Sequence, residues 1–105
     1  MMRRMDAPEI VLASRLSRFP EVRRIILFGS RARGDAGARA DIDVAVECPE
    51  ADSRRWFDIE EAAESTPTLL KIDLVRLDRA PADLAANICR EGKVLYERAE
   101  RQPPA

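Results

Sequence analysis

The chain has no histidine and only two cysteines in its 105 residues. Cys48 and Cys89 form no CxxC pair, so a Cys/His zinc site is excluded. Free thiols in a reducing compartment are expected instead of a disulfide. The lack of histidine also removes the usual general base of a His-dependent hydrolase. No apolar run reaches membrane-spanning length, and the N-terminal MMRRM is basic without an apolar stretch behind it. A cytoplasmic protein with no membrane association is expected. The formal net charge is −1, which argues against a dedicated nucleic-acid binder. One local basic patch stands out, the loop carrying Arg31, Arg33 and Arg39.

Hydrophobic residues make up 46% of the chain and charged residues 35%, a soluble globular composition and not a disordered one. The length suits a single domain over residues 1–105, burying roughly two-thirds of the surface its unfolded chain exposes. Asp6, Pro8 and Glu9 suggest a capped helix start, and the helix should run to about Phe19, before Pro20. Val22–Phe28 is a predicted strand. Its run Ile25, Ile26, Leu27, Phe28 is apolar on both faces, as in a strand covered on two sides over part of its length. Gly29–Ala40 holds three of the four glycines and has room for one short turn of helix. Asp41–Glu47 is a second strand. A helix capped by Asp52 or Ser53 should follow to about Ser65, burying Trp56, Phe57, Ile59, Ala62 and Ala63. Lys71–Leu77 is a third strand. Asp78 and Pro81 introduce a third long helix, with Leu84, Ala85, Ile88 and Cys89 inward and Gly92 as its stop. Lys93–Tyr96 is a short edge strand, and the tail from about residue 98 is expected to fray. The pattern predicts one α/β (α+β) domain with about four strands.

The chemistry concentrates between Leu27 and Val46, LFGSRARGDAGARADIDVAV. Alternation puts Asp41 and Asp43 on one face of the second strand, and Ile42, Val44 and Val46 on the other. Asp73 lies inside the third strand. Aspartate is disfavoured there and costly to desolvate, so each needs a compensating partner. If the two strands are neighbours, Asp73 comes alongside Asp43. Clustered carboxylates raise the pKa of one member unless cations neutralise them. An all-oxygen ligand set favours a hard ion, Mg²⁺ or Mn²⁺. Two such ions suit in-line phosphoryl or nucleotidyl displacement. Gly29 removes a side chain where backbone must approach a phosphate, and Ser30 offers a hydroxyl and an N–H. The loop is not a Walker A motif, because Gly34 is followed by Asp35 and not by Lys-Ser/Thr. Arg31, Arg33 and Arg39 are candidates for triphosphate contact or plain surface arginines. The bland reading of each aspartate alone is a strand-end cap, an arginine partner or a solvated sheet face.

Gly29-Ser30, ten intervening residues, Asp41-Ile42-Asp43 and the later Asp73 together resemble the polymerase-β-like nucleotidyltransferase superfamily. The string GSRARGD…ADIDVAV and the ending EGKVLYE are similar to its minimal nucleotidyltransferase (MNT) branch, over about Val22–Glu97. The resemblance implies a mixed sheet with helices packed on one face and the active site on the other. It implies that Asp41, Asp43 and Asp73 are catalytic and bind two Mg²⁺ ions, and that Asp73 helps activate the acceptor hydroxyl. Gly29 and Ser30 would hold the phosphates of ATP. AMP would pass from ATP to a hydroxyl with release of pyrophosphate. The implied partner is a HEPN-family toxin, modified on a tyrosine, with the chain as its antitoxin in a hetero-oligomer. The short chain leaves no evident lobe for a small acceptor, which fits an acceptor presented by another macromolecule. The alternative is a binding module that neutralises a toxin by occlusion alone.

Overall fold

The computed structural model describes residues 7–34 and 41–99. Expectations that rest on Asp6, Arg39 or the tail beyond residue 99 lie outside the described residues. In chain order the elements are α1 (Pro8–Leu16), β1 (Arg24–Phe28), α2 (Ser30–Arg33), β2 (Ile42–Glu47), α3 (Ser53–Glu64), β3 (Ile72–Arg76), a 3₁₀ turn (Leu77–Arg79), α4 (Ala82–Glu91) and β4 (Lys93–Glu97). The strands form one mixed sheet in the order β3-β2-β1-β4. β1 is antiparallel to both β2 and β4, and β2 is parallel to β3. The α+β sheet expected from the pattern is present.

Two-residue periodicity sorts the sheet into two faces. Ile25 and Leu27 of β1 pack with Ile42, Val44 and Val46 of β2 against Leu12 and Leu16 of α1 and Ile59 and Ala63 of α3. Full burial of each large apolar side chain contributes about 1.5–3 kcal/mol, so this cluster is the main source of stability. Ile26 and Ala45 point the other way, beneath Leu77 and Ile88, with Phe28, Val75 and Ala85 around them. The helices therefore differ from the expected one-sided packing. α1 and α3 cover one face, and α4 covers part of the other. The physical reason is β1 itself, whose consecutive apolar residues need shielding from water on both sides.

Local chemistry explains most element ends. Asp52 caps α3, its side chain accepting from Arg55 N–H at 2.9 Å. α1 stops at Leu16, three residues short of expectation, and continues as turns in which Phe19 N–H donates to Leu16 O and Val22 N–H to Phe19 O. Its N-cap is Ala7, with no side-chain cap. Gly92 ends α4, but at φ −82° it is not left-handed. A Cβ there would lie 2.5 Å from Ile88 O and 3.0 Å from Leu27 O. The glycine lets the chain turn from α4 tightly against β1. Six side chains expected inward are less buried than the pattern implies, Trp56 and Ala62 being half-buried. Phe57 is 54% and Leu84 39% exposed, Cys89 is exposed, and Ala85 is half-buried. Ile88 alone of the α4 set is fully enclosed, because α4 covers only a narrow strip of sheet. Both cysteines are free thiols.

Candidate active site

The mixed topology gathers three chain segments at one end of the sheet. β1 finishes there at Phe28, while β2 and the parallel β3 both start there. Phe28 pairs with Asp43, and Asp43 pairs with Asp73. Equal parity puts Asp43 and Asp73 on the α4 face, beyond the strip that Ala45, Leu77 and Ile88 close. The parallel register thus brings Asp73 beside Asp43. Asp41 stands just before β2, exposed at the rim.

Electrostatics mark Asp43 as the centre of this group. Its pKa is raised above the ordinary carboxylate value, first by burial, then by the negative charge of Asp73 and a hydrogen bond with it, and then by Asp41. Lys71 opposes the shift. Its Nζ lies 3.6 Å from Asp73 Oδ1. Sequence reading passed over Lys71, yet alternation from Asp73 places it on the same face. Among the described residues no three carboxylate, thiol or imidazole groups form a ready-made metal cage. Two carboxylates meet and a third stands at the edge. An all-carboxylate donor set whose central member is held against its preference for ionisation fits a hard divalent cation, which would relieve that repulsion.

Gly29 closes the site from the β1 side. It has φ 77° and ψ −158°, a region essentially restricted to glycine. A Cβ at this position would lie 2.5 Å from Asp43 Oδ2. The missing side chain is therefore required both by the turn and by the carboxylate behind it. Ser30 follows as the first residue of α2, half-buried, and Gly34 ends this single turn in a left-handed conformation at φ 83°. Arg33, also on α2, is exposed. Arg31 turns towards α1 and pairs with Glu9, Nη2 to Oε1 at 3.1 Å, both side chains largely buried. Glu9, expected to reach back within a capping box, instead ties α1 to α2. This leaves Arg31 as a brace behind the loop more than a group pointing from it.

Family comparison fits this geometry. The family described as Polymerase beta, Nucleotidyltransferase matches residues 11–101. The chain belongs to that nucleotidyltransferase family. A curated relative, protein adenylyltransferase MntA of Aphanizomenon flos-aquae (strain 2012/KM1/D3), is 35% identical over 92 residues, covering 78% of this chain and 61% of the relative. The chain thus spans about three-fifths of that relative's length. Among solved structures, a toxin–antitoxin complex with AMP-PNP aligns at TM-score 0.63 and 26% identity, over 88% of this chain and 73% of the other. A mutant MntA–HpeT toxin–antitoxin complex aligns at TM-score 0.62 and 25% identity, over 91% and 76%. No helix among the described residues is long and apolar enough to cross a membrane.

Proposed function

We propose that this nucleotidyltransferase moves AMP from ATP, with Mg²⁺, onto a hydroxyl of a partner HEPN-type toxin, a tyrosine in the fullest form of the reading, and thereby acts as its antitoxin. The observation that carries the reading is the juxtaposition of Asp43 and Asp73 beside the Cβ-free backbone of Gly29. The 35% identical relative is a protein adenylyltransferase, and a structural neighbour is a toxin–antitoxin complex with an ATP analogue.

Asp43 and Asp73, with Asp41 at the rim, would hold the divalent ions. When bound, these supply Lewis-acid stabilisation of charge on the entering and leaving oxygens. Gly29 lets the phosphates approach backbone that any other residue would shield, and Ser30 offers a hydroxyl donor at their edge. Asp73 takes the proton of the acceptor hydroxyl as its oxygen attacks the α-phosphorus. The bond from that phosphorus to the bridging oxygen breaks, and pyrophosphate leaves. Glu9 and Arg31 keep the loop seated on α1. No histidine is needed, and the chain has none.

The decisive experiment incubates the protein with Mg²⁺, α-labelled ATP and its co-encoded neighbour. Label should appear on the neighbour and should fall at least a hundredfold with Asp41→Asn plus Asp43→Asn, about the factor expected when charge stabilisation in the transition state is lost. Equal labelling by the double variant would refute the reading. Cell protection that survives the double variant would instead favour neutralisation by occlusion.

A further inference from the structure

Lys71 is the one cation placed against a candidate ligand carboxylate by an ion pair, Nζ to Asp73 Oδ1, among those described. It immediately precedes β3 and shares the face of Asp73 by strand alternation. Its backbone is fixed, since Lys71 O accepts from Ile42 N–H at 2.9 Å, level with the start of β2. Its side chain is open to solvent. It is 70% exposed, and the 3.6 Å separation is longer than a tight charge-assisted hydrogen bond. The ammonium therefore stands at the rim of three carboxylates, held by a loose contact that contributes little and is easily exchanged.

Two facts about charge decide what this side chain can do. Asp41, Asp43 and Asp73 together carry more negative charge than one lysine can balance. A divalent cation entering among them repels the ammonium and competes for the same Asp73 oxygen. Lysine is a compact charge on a flexible four-carbon stem, well suited to leave one anion for another nearby. In the proposed reaction a new anion, the triphosphate, enters at the same end of the sheet.

We propose that Lys71 is an internal counter-ion of the carboxylate site, displaced from Asp73 by the divalent cation and then bound to the phosphates of the nucleotide. This rests on the function proposed above. It makes Lys71 a substrate-binding residue that no spacing of glycines and aspartates would indicate.

The test measures two affinities whose changes have opposite signs. Mn²⁺ binding without nucleotide is followed by the EPR signal of the free ion, and AMP-PNP binding at saturating Mn²⁺ by calorimetry. Lys71→Met should tighten Mn²⁺ binding about three- to tenfold and weaken AMP-PNP binding about three- to tenfold, as removal of one charge a few ångströms away in a wet site implies. Lys71→Arg should restore both towards wild type. Unchanged Mn²⁺ affinity or unchanged AMP-PNP affinity in Lys71→Met overturns the proposal. Weakening of both marks a merely structural role and overturns it equally. The parent reading is separable. Wild-type protein that binds both, with Asp43→Asn abolishing Mn²⁺ binding and Lys71→Met indifferent, removes Lys71 alone. Wild-type protein that binds neither removes both readings together.

Discussion

At φ 77° and ψ −158°, Gly29 occupies backbone space nearly closed to side chains, and a methyl group there would collide with Asp43 Oδ2. Gly34 is left-handed too, at φ 83°, but among the described residues nothing lies within 4 Å of its missing Cβ. The two glycines separate conformational cost from collision. Gly29→Ala should cost about 2–3 kcal/mol, lowering the melting temperature by about 10 °C or more. Gly34→Ala should cost only about 1–2 kcal/mol, and it should leave AMP-PNP binding intact. Thermal melts followed by circular dichroism compare them. Asp43 has the opposite character, since its charged form is disfavoured by the fold. A raised folded-state pKa means that the native protein binds more protons than the unfolded chain between the two pKa values, so stability falls as pH rises through that window. The penalty is then fully present at neutral pH. In metal-free buffer at pH 7, Asp43→Asn should melt at a higher temperature than wild type. The gain should vanish as the pH is lowered below the ordinary aspartate range. Added Mg²⁺ should raise the melting temperature of wild type and not of the variant.

Between β2 and α3 the turn is held by a pair of charges from β3 and the 3₁₀ turn. Arg76 donates from Nη2 to Cys48 O at 2.9 Å and Ala51 O at 2.7 Å, and from Nε to Asp78 Oδ2 at 3.0 Å. Its guanidinium also lies over the Trp56 ring, 5.5 Å from the centroid. Asp78 in turn accepts from Cys48 N–H at 2.9 Å. Both side chains are nearly buried, 10% and 12% exposed. Asp78, expected to introduce the last helix, instead anchors the turn before α3. Removing one partner leaves a buried charge uncompensated. Arg76→Met should therefore cost about 3–5 kcal/mol, read by urea denaturation, and Arg76→Met with Asp78→Asn should recover part of the loss. The site lies at the opposite end of the sheet, so AMP-PNP should still bind in the fraction that remains folded. Burial also makes the neighbouring Cys48 thiol a poor nucleophile, with its pKa pushed up to about 11.

For the whole molecule, the division of the α4 face matters most. α4 and the 3₁₀ turn close the part over Ile26 and Ala45, while Asp43 and Asp73 stand half-buried beyond it. The molecule thereby has a stable core behind the site and an accessible edge at it. A ligand bound only by the native state stabilises it by mass action. AMP-PNP with Mg²⁺ at a hundredfold excess over its Kd should add about 2.7 kcal/mol, a rise of about 10 °C for a domain of this size. Asp41→Asn plus Asp43→Asn should abolish that shift in a thermal melt while leaving the fold intact.

Much of this was legible in the residues alone. Period-two alternation assigned Ile42, Val44 and Val46 to the core and Asp43 to the other face, because a strand cannot place neighbours on the same side. The glycine spacing predicted a loop with a single helical turn, and Asp52 or Ser53 was expected to cap α3, of which the structure uses Asp52. The unbroken apolar run of β1 already required cover on both faces, which resemblance to a one-sided fold obscured and which α4 provides. Other features depend on atoms far apart in sequence. Glu9 was expected to cap its own helix, and only the tertiary fold, which sets α1 near α2, gave it to Arg31. Gly92 does stop α4 as expected, but the reason for glycine there is the closeness of β1. Above all, alternation could bring Asp43 and Asp73 to the same face, but not beside each other. The parallel pairing of β2 with β3 did that, and it placed Lys71 within reach of the same carboxylates.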